Sequence, residues 1–74
     1  MEHRIRIGSQ LASIRRKRGL TQEQLAELSG LNRVNIAKIE NGRYNVSIDI
    51  LHKICKVLGA QLSINSEDET SETF

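Results

Sequence analysis

The sequence predicts an all-α domain: a small bundle of four main helices with a helix-turn-helix inside it, followed by a short C-terminal β-strand. Three observations predict this. Apolar residues recur at helical spacing in four separate stretches of the 74 residues. A glycine closes each stretch, at Gly19, Gly30, Gly42 and Gly59. The two central stretches, within "TQEQLAELSGLNRVNIAKIENG" at 21–42, are short and joined by a tight turn, with the small Ala26 where they would cross.

The first helix is expected from about residue 5 to Arg18. Ile7, Leu11, Ile14 and Arg18 fall on one face, and Gly19 ends it. Its start is less defined, because "RIRI" at 4–7 alternates as a strand would. Leu20 then turns inward. Thr21 opens the second helix and, with Gln24, matches a capping box. Leu25, Ala26 and Ser29 face inward, and Gly30 ends the helix. Asn32 suits the cap of the third helix, whose buried stripe is Ile36 and Ile39 and whose end is Asn41-Gly42. "RYN" at 43–45 is a loop. Ser47 caps a fourth helix to about Leu58, with Ile50 or Leu51, Ile54, Cys55 and Leu58 inward. "AQLSIN" at 60–65 alternates, which is a strand pattern. The two aromatics, Tyr44 and Phe74, lie in the loop and at the end of the acidic stretch, so the core is expected to lack them.

The length gives one domain. Residues 1–65 are expected to form that domain, with the strand pattern at its end, and "EDETSETF" within 66–74 reads as an acidic disordered tail. A core this small is marginal. Cys55 is the only cysteine, so a disulfide within the chain is excluded, and a partner chain is the remaining source of support. That cysteine sits in an apolar run and reads as a buried, reduced thiol. No stretch is apolar enough for a membrane span, and "MEHRIRIGSQ" lacks the apolar middle of a signal peptide; both point to the cytoplasm.

The net charge of +2 hides a division. Residues 1–20 carry six basic groups and one acidic group, whereas residues 65–74 carry four acidic groups and no basic one. The body, residues 1–64, is therefore +6. A compact body of that charge suits a polyanion such as nucleic acid. The third helix adds a sharper sign. Val34 and Ala37 share a side with Arg33, Lys38 and Asn41, opposite Ile36 and Ile39. Arginine can donate two bonds to guanine, and valine suits a thymine methyl.

The stretches "IRRKRGLTQEQLAELSGLNRVNIAKIENG" and "SIDILHKICKVLG" resemble the phage repressor and Cro class, the XRE-type helix-turn-helix family, over roughly residues 7 to 59. The resemblance implies a lambda-repressor-like fold with the third helix in the major groove. Asn32, Arg33, Val34, Ala37 and Lys38 would then meet base edges. Thr21, Gln22, Asn41, Arg43, Tyr44 and Asn45 would meet the backbone. Arg15 of the first helix would pair with Glu40, before the closing Asn-Gly. The chain departs from much of that class after Gly59, where a strand pattern stands in place of a fifth helix. That end resembles the HipB-type antitoxin branch, whose strand pairs with its mate. Gln61, Leu62, Ser63, Ile64 and Asn65 would supply it here.

The function expected is a sequence-specific regulator of transcription, a repressor acting as a homodimer on palindromic double-stranded DNA. The alternative is an antitoxin that binds a toxin protein and represses its own operon. No enzyme, cofactor or metal is expected. His52 and Cys55 stand at i, i+3, but two ligands do not make a structural zinc site. No nucleophile has an adjacent base, and no glycine-rich phosphate loop occurs.

Overall fold

The computed structural model describes residues 2–62. Within them the order is α1 (Glu2–Lys17), α2 (Gln22–Ser29), α3 (Arg33–Glu40) and α4 (Ile48–Leu58). α1 packs on α3 and α4, and α2 packs on α3 and α4. The core lies between them: Leu11, Leu25, Ala26, Ile36, Ile39, Leu51, Ile54, Cys55 and Leu58 are all buried. At the fourth helix, Leu51 is the inward residue and Ile50 is half-buried.

Local chemistry sets the three later helix starts. Thr21 Oγ1 accepts from the Gln24 amide at 3.0 Å, and Gln24 Oε1 accepts from the Thr21 amide at 2.9 Å. Two donors that a helix start leaves open are thus satisfied reciprocally. Asn32 and Ser47 cap α3 and α4 by one bond each, accepting from the backbone N–H of Asn35 and Ile50. Ser29, buried at the end of α2, donates its hydroxyl to the Leu25 carbonyl at 2.7 Å, so no polar atom is stranded there.

The first helix corrects the sequence reading. "RIRI" is helical, and α1 begins three residues earlier than expected, at Glu2. It therefore cannot supply strand pairing. The cause is tertiary. Gly42 takes φ +73° at the end of α3, and a Cβ there would stand 2.7 Å from Ile5 Cγ1 and 2.9 Å from Ile5 Cα. The bare glycine lets the first turn of α1 rest on the turn that ends α3. Gly8 does the same one turn later. A Cβ on it would collide with the backbone carbonyls of Ile39 and Glu40. Two glycines on different elements thus bring α1 and α3 into backbone contact along the first half of α1.

Arg18 closes the other end of α1, its Nε donating to the Leu58 carbonyl at 2.7 Å. A cation there also suits the negative end of α4. Tyr44 is half-buried in its loop and packs against the core, while no aromatic is among the buried core residues themselves. Ala60, Gln61 and Leu62 continue from α4 without regular structure. The remainder of the expected strand, Ser63, Ile64 and Asn65, and the acidic stretch 66–74 lie outside the described residues. No helix among the described residues is long and apolar enough to cross a membrane.

Candidate nucleic-acid interface

The outer face of α3 is the candidate. An eight-residue helix is too short to persist alone, so its position depends on what holds its inner side. Ile36 and Ile39 are buried, at 1% and 3% exposure. Its last residue is tied down by charge. Arg15 Nε donates to Glu40 Oε2 at 2.7 Å, and Arg15 Nη2 donates to Glu40 Oε1 at 3.1 Å. The pair is bidentate and nearly dry, with side-chain exposures of 10% and 6%. Arg15 Nη1 donates to the Leu20 carbonyl at 2.8 Å, so the guanidinium also fixes the turn entering α2.

A third member joins from α2. Gln22 Nε2 donates to Glu40 Oε1 at 2.9 Å. One carboxylate therefore gathers the first, second and third helices. The Gln22 bond spans eighteen residues and was not foreseen; the sequence reading gave Gln22 a backbone-facing role only. Its amide nitrogen has two protons, and Glu40 takes one. The network thus leaves a donor at the start of α2, beside the unbonded N–H groups of that helix end.

The outward side of α3 has a different character. Arg33, Val34 and Lys38 are exposed, and Ala37 is half-buried. Val34 is 55% exposed, which places an apolar side chain in water between two cations. Asn32 is exposed, but its Oδ1 is occupied by the cap, so only its amide group can reach outward. Asn41, Arg43 and Asn45 are exposed after the helix, whereas Tyr44 leans on the core. Arg33, Val34, Ala37 and Lys38 thus share one helix, with Asn32 at its start and Asn41 at its end. Thr21 and Gln22 flank them from α2.

Among the described residues no three His, Cys, Asp or Glu side chains gather as a metal site would need. His52 is exposed and Cys55 is buried. Burial pushes the Cys55 thiol above its ordinary pKa, which favours the unreactive protonated form.

Two short helices around a glycine turn, with the second pinned on one side and exposed on the other, define a helix-turn-helix protein. A model of the helix-turn-helix family matches residues 11–64, and the chain belongs to that family, in its XRE-type branch. It is 42% identical over 64 residues to the immunity repressor protein of Bacillus phage phi105, covering 86% of this chain and 44% of the repressor. It is 43% identical over 56 residues to the HTH-type transcriptional regulator PuuR of Escherichia coli, covering 76% of this chain and 30% of PuuR. The chain thus spans less than half the length of these two relatives. Among solved structures, the restriction-modification controller protein C.AhdI from Aeromonas hydrophila superposes with a TM-score of 0.80 at 34% identity, covering 82% of this chain and 92% of that one.

Proposed function

We propose that the chain is a double-stranded DNA-binding regulator of transcription that works as a homodimer on a short palindromic operator, as a repressor. One observation carries this reading: α3 exposes Arg33, Val34 and Lys38 together while its inner side is fixed by burial and by the Arg15–Glu40–Gln22 network. A rigidly held helix with a cationic and apolar outer face matches the major groove, where guanine offers acceptors and thymine a methyl group. Arg33, Val34, Ala37, Lys38 and the Asn32 amide read base edges. Thr21, Gln22, Asn41, Arg43, Tyr44 and Asn45 hold phosphates, with Gln22 aimed by Glu40. The chain acts by binding rather than by catalysis, in the cytoplasm. The relatives named as repressor and regulators support this reading; they lend none to a toxin partner, and the antitoxin alternative is not carried forward.

Dimerisation belongs to the same proposal. Leu62 is 47% exposed at the end of the described chain, and the alternation continues through Ile64. Residues 61–65 would pair with the same segment of a second chain, which supplies partners for their N–H and C=O groups. Selection of bound sites from random DNA tests the whole reading, with a two-fold symmetric consensus expected. Truncation after Gly59 should give a monomer with weaker DNA binding. If sedimentation shows the truncated chain dimerising as tightly as the full one, the interface lies elsewhere.

A further inference from the structure

We propose that the acidic segment 67–74 docks on the face formed by α2 and α4, on the side of the same chain that carries Leu28, Lys53, Lys56 and Val57. These residues, with Ser29, line a depression of about 270 Å³. Leu28 is the most exposed apolar residue on α2, at 63%. Lys53 and Lys56 are exposed, and among the described residues neither has an ion-pair partner. The site is thus apolar at its centre and doubly cationic at its rim. The segment "EDETSETF" is its complement: Glu67, Asp68, Glu69 and Glu72 are its acidic groups and Phe74 its one large apolar group.

The path leads there. Leu62 lines a neighbouring depression together with His52, Cys55 and Lys56. Lys56 is therefore the wall between the point where the described chain ends and the Leu28 site. Crossing α4 at that wall means crossing one helix, about 10–12 Å wide with its side chains. Residues 63–66 can span at most about 14 Å at ~3.4 Å each. Glu67, Asp68 and Glu69 then come within reach of Lys56 and Lys53, and Phe74 within reach of Leu28 and Val57. The recognition helix is a poorer destination. None of its residues lines either depression, although Arg33 and Lys38 carry the same charge. Docking on α2 and α4 keeps four negative charges away from the DNA-facing side and covers Leu28.

Amide spectra of the full chain test this, recorded at low and high salt and over a range of concentrations. Salt weakens exposed charge pairs, so the signals of 67–74 should move together with those of Leu28, Lys53, Lys56 and Val57 as salt rises. The double substitution Lys53→Glu, Lys56→Glu should place the tail signals at their high-salt positions even at low salt. Adding Glu67→Lys and Glu69→Lys to that variant should restore the salt-sensitive shifts. Phe74→Ser should remove the shifts at Leu28 and Val57. The proposal is overturned if the tail ignores the charge reversal. It is equally overturned if the tail follows Arg33→Glu and Lys38→Glu instead, or if the coupling fades on dilution, which would mean a second copy is the occupant.

Discussion

The two sides of α3 are built on opposite terms. Towards α1, backbone meets backbone at Gly8 and Gly42, a bidentate ion pair is nearly dry, and Gln22 adds a third hydrogen bond to the same carboxylate. Away from α1, Arg33 and Lys38 are exposed and Val34 stands in water. A short helix gains little from its own hydrogen bonds. The inner side therefore has to define where the outer side chains stand. What the contrast teaches is a division of labour within eight residues: one side fixes position and the other is left available for a ligand.

The largest effect should come from breaking the inner side at its charge. Glu40→Ala leaves Arg15 buried without its carboxylate, which costs roughly 3–5 kcal/mol for a fully buried pair. In a domain this size each kcal/mol lowers Tm by about 4–8 °C. Thermal unfolding followed by circular dichroism should show Glu40→Ala melting on the order of 12 °C or more below Glu27→Ala, whose parent side chain is exposed. Equal melting temperatures would remove the network from the account.

Gly8→Ala should come next. Alanine favours helix over glycine by up to about 1 kcal/mol, so a free helical position would gain stability. Here the added methyl meets the Ile39 and Glu40 carbonyls. Overpacking of that kind costs about 1–3 kcal/mol, and the sign should be destabilising. DNA affinity should fall as well, because α1 can accommodate the methyl only by moving off α3. A more stable variant would show that the backbone contact is looser than described.

Gln22→Ala should be smaller and separate the two sides. It removes one hydrogen bond to Glu40, worth about 0.5–1.5 kcal/mol because Gln22 is only half-buried and water can take the place of its amide. On DNA it should weaken every sequence by a similar factor, as loss of a phosphate contact does. Titration against several operators would reveal any base preference that changes instead, and such a change would assign Gln22 to base reading.

The helix starts were legible because their causes are local. Thr21 with Gln24, Asn32 and Ser47 each act within three residues of their own position. The start of α1 was not, since "RIRI" has strand alternation and the turn it rests on, at Gly42, lies thirty-seven residues from Ile5. Gly8 gave no local sign beyond being a glycine within a helical pattern, which marks a close approach without naming the neighbour. The Arg15–Glu40 pairing came from the family resemblance rather than from spacing, and Gln22 was missed because its partner lies on another element. Tyr44 sits in a loop by pattern, yet it packs against the core, a contact that no local spacing marks. The outer residues of α3 could be placed by helical periodicity alone; what they touch depends on a ligand that the sequence does not contain.

The most direct test of the division within α3 compares Arg33→Ala with Arg43→Ala. Both remove one exposed cation. Arg33 lies at the first position of α3, where recognition helices meet bases, whereas Arg43 follows the helix and is proposed to meet only the DNA backbone. Wild type and both variants should be titrated against a set of single-base operator changes at two salt concentrations. Arg33→Ala should lose about 1–3 kcal/mol of discrimination at one base pair in each half-site. Arg43→Ala should weaken all sites alike and reduce the salt slope by about one phosphate per subunit. If Arg33→Ala scales every affinity by one common factor, the outer face of α3 does not read sequence through that residue, and the central claim is contradicted.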